Sequence, residues 1–155
     1  VPDFAGNLEA WAVVVDAAPD VFNHNLETVP RLYPLVRPGA DYRRSIELLT
    51  FARERAPGLA TKSGIMLGLG EETAEVLQAG KDLLAAGVDM LTVGQYLRPA
   101  APNTLAVERF VPPEEFDALG QRLREMGFRS VASAPFVRSS YNAMESFLGL
   151  AEGEG

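Results

Sequence analysis

Thr61-Lys62-Ser63-Gly64-Ile65-Met66-Leu67-Gly68-Leu69-Gly70-Glu71 carries the strongest fold signal in the chain. A short apolar run, Ile65 to Leu67, follows a lysine and leads into a Gly-x-Gly loop and a carboxylate, and a helical pattern starts near Thr73. That order reads as a buried strand, a tight turn and a helix, the half-unit of parallel α/β folds. Gly68 and Gly70 permit positive φ and close approach of the backbone to a ligand. Amides at the start of the next helix would face an anionic or polar group. A βα turn without a ligand has the same pattern.

Upstream, Val1-Pro2-Asp3-Phe4 reads as the end of a strand, and Asn7 as the N-cap of a helix carrying Leu8, Trp11, Val14 and Val15 inward until Pro19. Residues 20–25 read as a short buried strand with a polar mouth, and Val29 to Leu35 as a brief helix. Asp41 caps a longer helix with Tyr42, Ile46, Leu49 and Arg53 on one stripe, closed by Pro57-Gly58. Downstream come a helix from Thr73 to about Ala86, a strand from Met90 to Gly94 with Gln95-Tyr96-Leu97 at its mouth, and a loop from Arg98 to Thr104. Val107 to Val111 is extended, Pro112-Pro113 introduces a helix ending at Gly127, and Arg129 to Ala132 forms a final strand. Repeats of strand and helix every ~30–40 residues give right-handed parallel βα units. The strands are too few to close a barrel, so the expected fold is half of one.

The totals bound the rest. At 155 residues the chain is one domain or a piece of a larger one. A net charge of −7 argues against nucleic acid and against an anionic membrane surface. No apolar run approaches the ~20 residues of a membrane span. The chain has no cysteine, so it offers neither disulfides nor thiolates for a metal cluster.

In parallel folds the carboxyl ends of the strands build the site. That rule selects His24, Asn25 and Glu27, then Lys62, Gly68, Gly70 and Glu71, then Gln95 and Tyr96. His24 is the only histidine and reads as a structural residue as readily as a catalyst. Asn25 and Glu27 lie two apart, so an extended backbone points both the same way, which suits a sugar diol or an amino group. Lys62 reads as an amine nucleophile of a Schiff-base aldolase or as a charge that holds a carboxylate. Tyr96 reads as packing or as a stacking surface.

The blocks Val1–Phe4, Asp20–Tyr33, Val36–Tyr42, Thr61–Glu71, Gly94–Leu97 and Val137–Tyr141, in this order, resemble the C-terminal half of lipoyl synthase, a family of radical S-adenosylmethionine (SAM) enzymes. The resemblance implies the C-terminal half of a partial (β/α) TIM-type barrel over residues 1–150; the Glu/Gly composition of 151–155 reads as a disordered tail. It implies two 4Fe-4S clusters and SAM. One cluster reduces SAM to a 5′-deoxyadenosyl radical that abstracts hydrogen from carbons 6 and 8 of a protein-bound octanoyl-lysine. The auxiliary cluster donates the two sulfur atoms of the lipoyl group. The implied partners are octanoylated lipoyl-carrier domains (glycine cleavage H protein or 2-oxoacid dehydrogenase E2) and an electron donor such as ferredoxin or flavodoxin. The implied location is the cytoplasm of a bacterium, or a mitochondrion or plastid in a eukaryote.

Residue by residue, the resemblance assigns SAM contacts to Asn25, Glu27, Lys62, Gly64, Gly68, Gly70, Gln95 and Tyr96. It assigns catalytic roles to Arg138 and Ser140, with Ser140 as the serine ligand of the auxiliary cluster and Ser139 as the fallback. Two departures stand out. The six cluster cysteines of the family precede the region matched here, and the loop Pro99-Ala100-Ala101-Pro102-Asn103-Thr104 lacks the Arg-His or His-His pair that many family members carry; Ala134 likewise stands where glycine is usual. The cysteine-free chain alone is expected to be inactive. The alternatives from other classes are a Schiff-base barrel enzyme using Lys62 and a non-catalytic carrier-binding descendant.

Overall fold

Strand and helix alternate through the computed structural model, which describes residues 1–138. Four strands, β1 (Val21–Asn23), β2 (Ala60–Leu67), β3 (Met90–Gln95) and β4 (Ser130–Ser133), form one sheet in the order β1-β2-β3-β4. Every pairing is parallel, so the chain steps across the sheet one strand at a time through helical crossovers. Helix α1 (Leu8–Asp16) precedes β1. A 3-10 turn (Pro30–Leu32), α2 (Tyr33–Val36) and α3 (Tyr42–Arg55) join β1 to β2; α4 (Thr73–Ala85) joins β2 to β3, and α5 (Pro113–Glu125) joins β3 to β4. The parallel α/β class expected from the sequence is met.

The helices start where side chains replace the missing backbone acceptors. Asn7 accepts from the amides of Glu9 at 3.0 Å and Ala10 at 3.2 Å, and Asp41 accepts from Arg44 at 2.8 Å. Each helix then buries residues three and four apart: Trp11 and Val15 on α1; Ser45, Leu48, Leu49 and Ala52 on α3; Phe116, Leu119 and Leu123 on α5. Along β2 the side chains alternate. Ile65 and Leu67 join Phe22, Leu91 and Val93 in the core beneath the helices, whereas Lys62, Gly64 and Met66 occupy the other, inner face. At the amino end, the Asp89 carboxylate accepts from the Thr61 amide at 2.9 Å, the Thr61 hydroxyl at 3.1 Å and the Arg53 guanidinium. Arg53 also donates to the carbonyls of Gly87 at 2.9 Å and Pro57 at 2.7 Å. This network ties α3 to β2 and β3.

Three local expectations need correction. Phe4–Gly6 is a 3-10 turn closed by the Asp3 carboxylate on the Ala5 amide, not strand. Leu8 points to solvent, because the Asn7 cap starts the helix with that position on its outer side. The first strand spans three residues instead of six. Pairing resumes only at the bridge Glu27↔Ile65, so the segment from Asn23 to Glu27 opposes the shorter one from Lys62 to Ile65. This is a bulge, a feature found beside many active sites. The 151–155 tail, Ser139 and Ser140 lie outside the described residues.

Candidate functional site

The bulge and two glycines shape a cavity of about 200 Å³ on the inner face, at the carboxyl ends of β2 and β3. Asn25, Glu27, Gly64, Met66, Thr92, Gly94 and Arg138 are among the residues that line it. Glu27 is held at φ +70°, a left-handed conformation uncommon for a non-glycine residue. Its amide donates to the Gly64 carbonyl, and its carbonyl accepts from the Met66 amide, both at 2.9 Å. The expected convergence of Asn25 and Glu27 is present, with Asn25 Nδ2 donating to Glu27 Oε1 at 3.2 Å. The cause is the bulge with its left-handed Glu27, not a continuous extended backbone.

Asn25 lines the cavity, and its Oδ1 is buried without a hydrogen-bond partner, a rare state for a buried polar atom. Gly64 makes room for it: a Cβ there would lie 3.0 Å from Asn25 Oδ1 and 2.8 Å from Thr92 Oγ1. At Gly94 a Cβ would overlap the Val137 carbonyl oxygen. Only a glycine on β3 therefore lets the chain after β4 cross the inner face so closely. That crossing brings Arg138 to the cavity, its Nη1 donating to the Val137 carbonyl at 2.7 Å.

Other expected site residues have their polar groups engaged within the fold. Gly68 and Gly70 do take positive φ, +97° and +98°, but the Glu71 carboxylate accepts from the amides of Gly68 at 2.7 Å and Leu69 at 2.9 Å. The loop fills its own anion site. The start of α4 is likewise answered internally, Glu75 accepting from the Glu72 amide at 2.8 Å. Gln95 lines the cavity, yet its side chain braces the following loop, donating to the Arg109 carbonyl at 3.1 Å and accepting from the Val111 amide at 2.9 Å. The Tyr96 hydroxyl donates to the Leu105 carbonyl at 3.0 Å, which makes Tyr96 a packing residue.

Lys62 is not at a strand mouth. It sits third in β2, near the amino end, and does not line the cavity. It is 2% exposed, its Nζ has no partner, and burial lowers its pKa from the ordinary lysine value. His24 faces the helices: its Nδ1 bonds the Val1 carbonyl and its Nε2 the Ser45 hydroxyl, both at 2.9 Å. Nδ1 therefore carries the proton and Nε2 accepts. Burial lowers its pKa, which keeps this neutral form. The structural alternative for His24 is the one realised.

Met66, Thr92 and Gly94 escaped the sequence reading. The period-two alternation from Gly64 to Met66 and from Thr92 to Gly94 was the available signal, but the rule that favours polar residues at strand mouths passes over a methionine and a glycine. Among the described residues no group of three or more His, Cys, Asp and Glu side chains is placed to hold a metal ion. No helix there is long and apolar enough to cross a membrane.

Comparison with known proteins gives this geometry a setting. No protein-family model matches the chain. Curated relatives do: a lipoyl synthase of Nitrosococcus oceani is 60% identical over 144 residues, 92% of this chain and 44% of the relative. Those of Desulfotalea psychrophila (56% identical, 95% of this chain, 49% of the relative) and Citrifermentans bemidjiense (55%, 100% and 54%) align similarly. The chain spans about half the length of the curated relatives it matches. Among solved structures, Streptococcus suis SuiB shares the fold at a TM-score of 0.50 and 12% identity, over 72% of this chain and 26% of that one.

Proposed function

We propose that this chain, which belongs to the lipoyl synthase family and spans about half the length of its curated relatives, supplies the SAM-binding wall of a partial (β/α) barrel enzyme. The whole enzyme would insert two sulfur atoms at carbons 6 and 8 of an octanoyl-lysine on a lipoyl-carrier domain. One observation supports this most: the open acceptor Asn25 Oδ1 and the Glu27 carboxylate share a cavity floored by Gly64.

The cavity residues fit SAM by their chemistry. Asn25 Oδ1 accepts from a hydroxyl or ammonium hydrogen, and the Glu27 carboxylate takes the remaining donors of a cationic amino acid. The Gly64 floor lets a flat or polar group lie against the strand, and Met66 offers an apolar wall. Arg138 places positive charge at the rim. When bound beside a reduced cluster, SAM supplies the radical that removes hydrogen from the acyl chain.

This chain does not fit an iron–sulfur cluster by itself, because it contains no cysteine. Thiolate ligands for two 4Fe-4S clusters would come from sequence the chain does not contain, with Ser140, or Ser139, as the oxygen ligand of the auxiliary one. The Schiff-base alternative gains nothing from the geometry, since Lys62 is enclosed and away from the cavity. The test compares the chain with the full-length protein after anaerobic iron–sulfide reconstitution. The full-length protein should convert an octanoylated carrier peptide to the lipoyl form by mass spectrometry, and the 155-residue chain should hold no cluster and form no product. A full-length protein that cleaves SAM without sulfur insertion, on any octanoylated carrier, would contradict the assigned activity.

A further inference from the structure

The inner face carries a second unsatisfied site, below the cavity. Lys62 Nζ is buried without a partner, and so is Oδ1 of Asn23, its neighbour in register on β1. Both side chains project from the face opposite the helices. A buried ammonium with no counter-charge is costly, and proteins avoid one unless it is paired.

The neighbourhood indicates where a counter-charge enters. β1 is an edge strand of the described sheet, hydrogen-bonded to β2 alone. On its other edge main chain is already present: the Val1 nitrogen donates to the Asn23 carbonyl at 2.6 Å, and the Val1 carbonyl accepts from His24 Nδ1. A strand laid along that edge would point alternate side chains onto the inner face beside Asn23 and Lys62. The curated relatives are about twice as long as this chain, ample for such a strand.

We propose that in the full-length protein an acidic side chain, from a strand laid along the outer edge of β1 and leading into Val1, forms an ion pair with Lys62 braced by Asn23. The lysine then closes the inner face at its amino end, and the cavity above is left to the ligand. Asn23 fits either way round, because its amide, turned over, donates Nδ2 to the same carboxylate. The inference does not depend on what occupies the cavity.

The test uses the full-length protein. Lys62→Met leaves the acid buried alone and should lower the melting temperature by about 5–10 °C. A melting temperature that rises instead overturns the proposal, since it would mean the methionine has relieved an unpaired charge. Where the variant does not fold, a crystal structure of the wild-type full-length protein decides. A carboxylate oxygen within about 4 Å of Nζ supports the pair; its absence overturns it.

Discussion

The two faces of β2 differ in how their polar groups are answered. On the helix side, the Thr61 amide and hydroxyl both reach the Asp89 carboxylate, and Ser63 Oγ accepts from the Leu26 amide at 3.2 Å. On the inner side, Lys62 Nζ and, across the β1 edge, Asn23 Oδ1 and Asn25 Oδ1 have no partner. Buried polar groups without partners are rare in finished cores. The Thr61 and Ser63 groups are answered within this chain, whereas those of Lys62, Asn23 and Asn25 are not. Substitutions of the answered groups should change stability, and substitutions at the cavity on the inner side should change binding.

The largest expected effect is on the helix side. Asp89→Ala removes the acceptor shared by Thr61 and Arg53 and should cost about 3–4 kcal/mol in urea unfolding of the full-length protein. SAM affinity of the folded fraction should hold. A variant that melts normally but binds SAM poorly would dissolve the distinction between the faces.

Gly64→Ala tests the inner side. Its Cβ would press on Thr92 Oγ1 and Asn25 Oδ1 and should weaken SAM binding about tenfold or more, equivalent to ~1.4 kcal/mol. Equilibrium dialysis of the reconstituted full-length protein reads this, and a wild-type affinity would detach the cavity from SAM.

Much of this division was legible in the sequence. The strand–loop–helix order around Ile65, the caps Asn7 and Asp41, and the helical stripe of α5 follow from local chemistry, and the structure keeps them. Asn25 and Glu27 are also legible, because they lie two apart at the carboxyl end of a strand. What the sequence could not show was direction and satisfaction. Glu71 reads as a ligand contact until its carboxylate is seen folded back onto Gly68 and Leu69. Lys62 reads as a mouth residue because the strand's start, at Ala60, is not marked by any turn signal stronger than Pro57-Gly58. The bulge that turns Glu27 inward has no local signature at all.

A smaller effect concerns pH. Burial holds His24 below its ordinary pKa, so the unfolded chain binds the proton more readily. Stability is then lost as pH falls below the ordinary histidine value of ~6.5, by at most about 1.4 kcal/mol per pH unit. His24→Gln should flatten the melting temperature between pH 7 and 5 relative to wild type, whatever its effect at pH 7. An equally steep profile in the variant would place the acid sensitivity elsewhere. The smallest effect is expected for Tyr96→Phe, which loses one hydrogen bond to the Leu105 carbonyl and about 1 kcal/mol of stability. SAM affinity should stay unchanged, and a loss there would restore Tyr96 to the site.

If the unpartnered acceptor of Asn25 serves a ligand and not the fold, one titration will show it. SAM is titrated calorimetrically into full-length wild-type protein and the Asn25→Ala variant, both anaerobically reconstituted, with melting temperatures measured on the same samples. Binding should weaken about tenfold, the loss of a hydrogen bond to a charged or polar group, with a melting temperature equal to or above that of wild type. Unchanged SAM affinity together with a lowered melting temperature would contradict it and return Asn25 to a structural role.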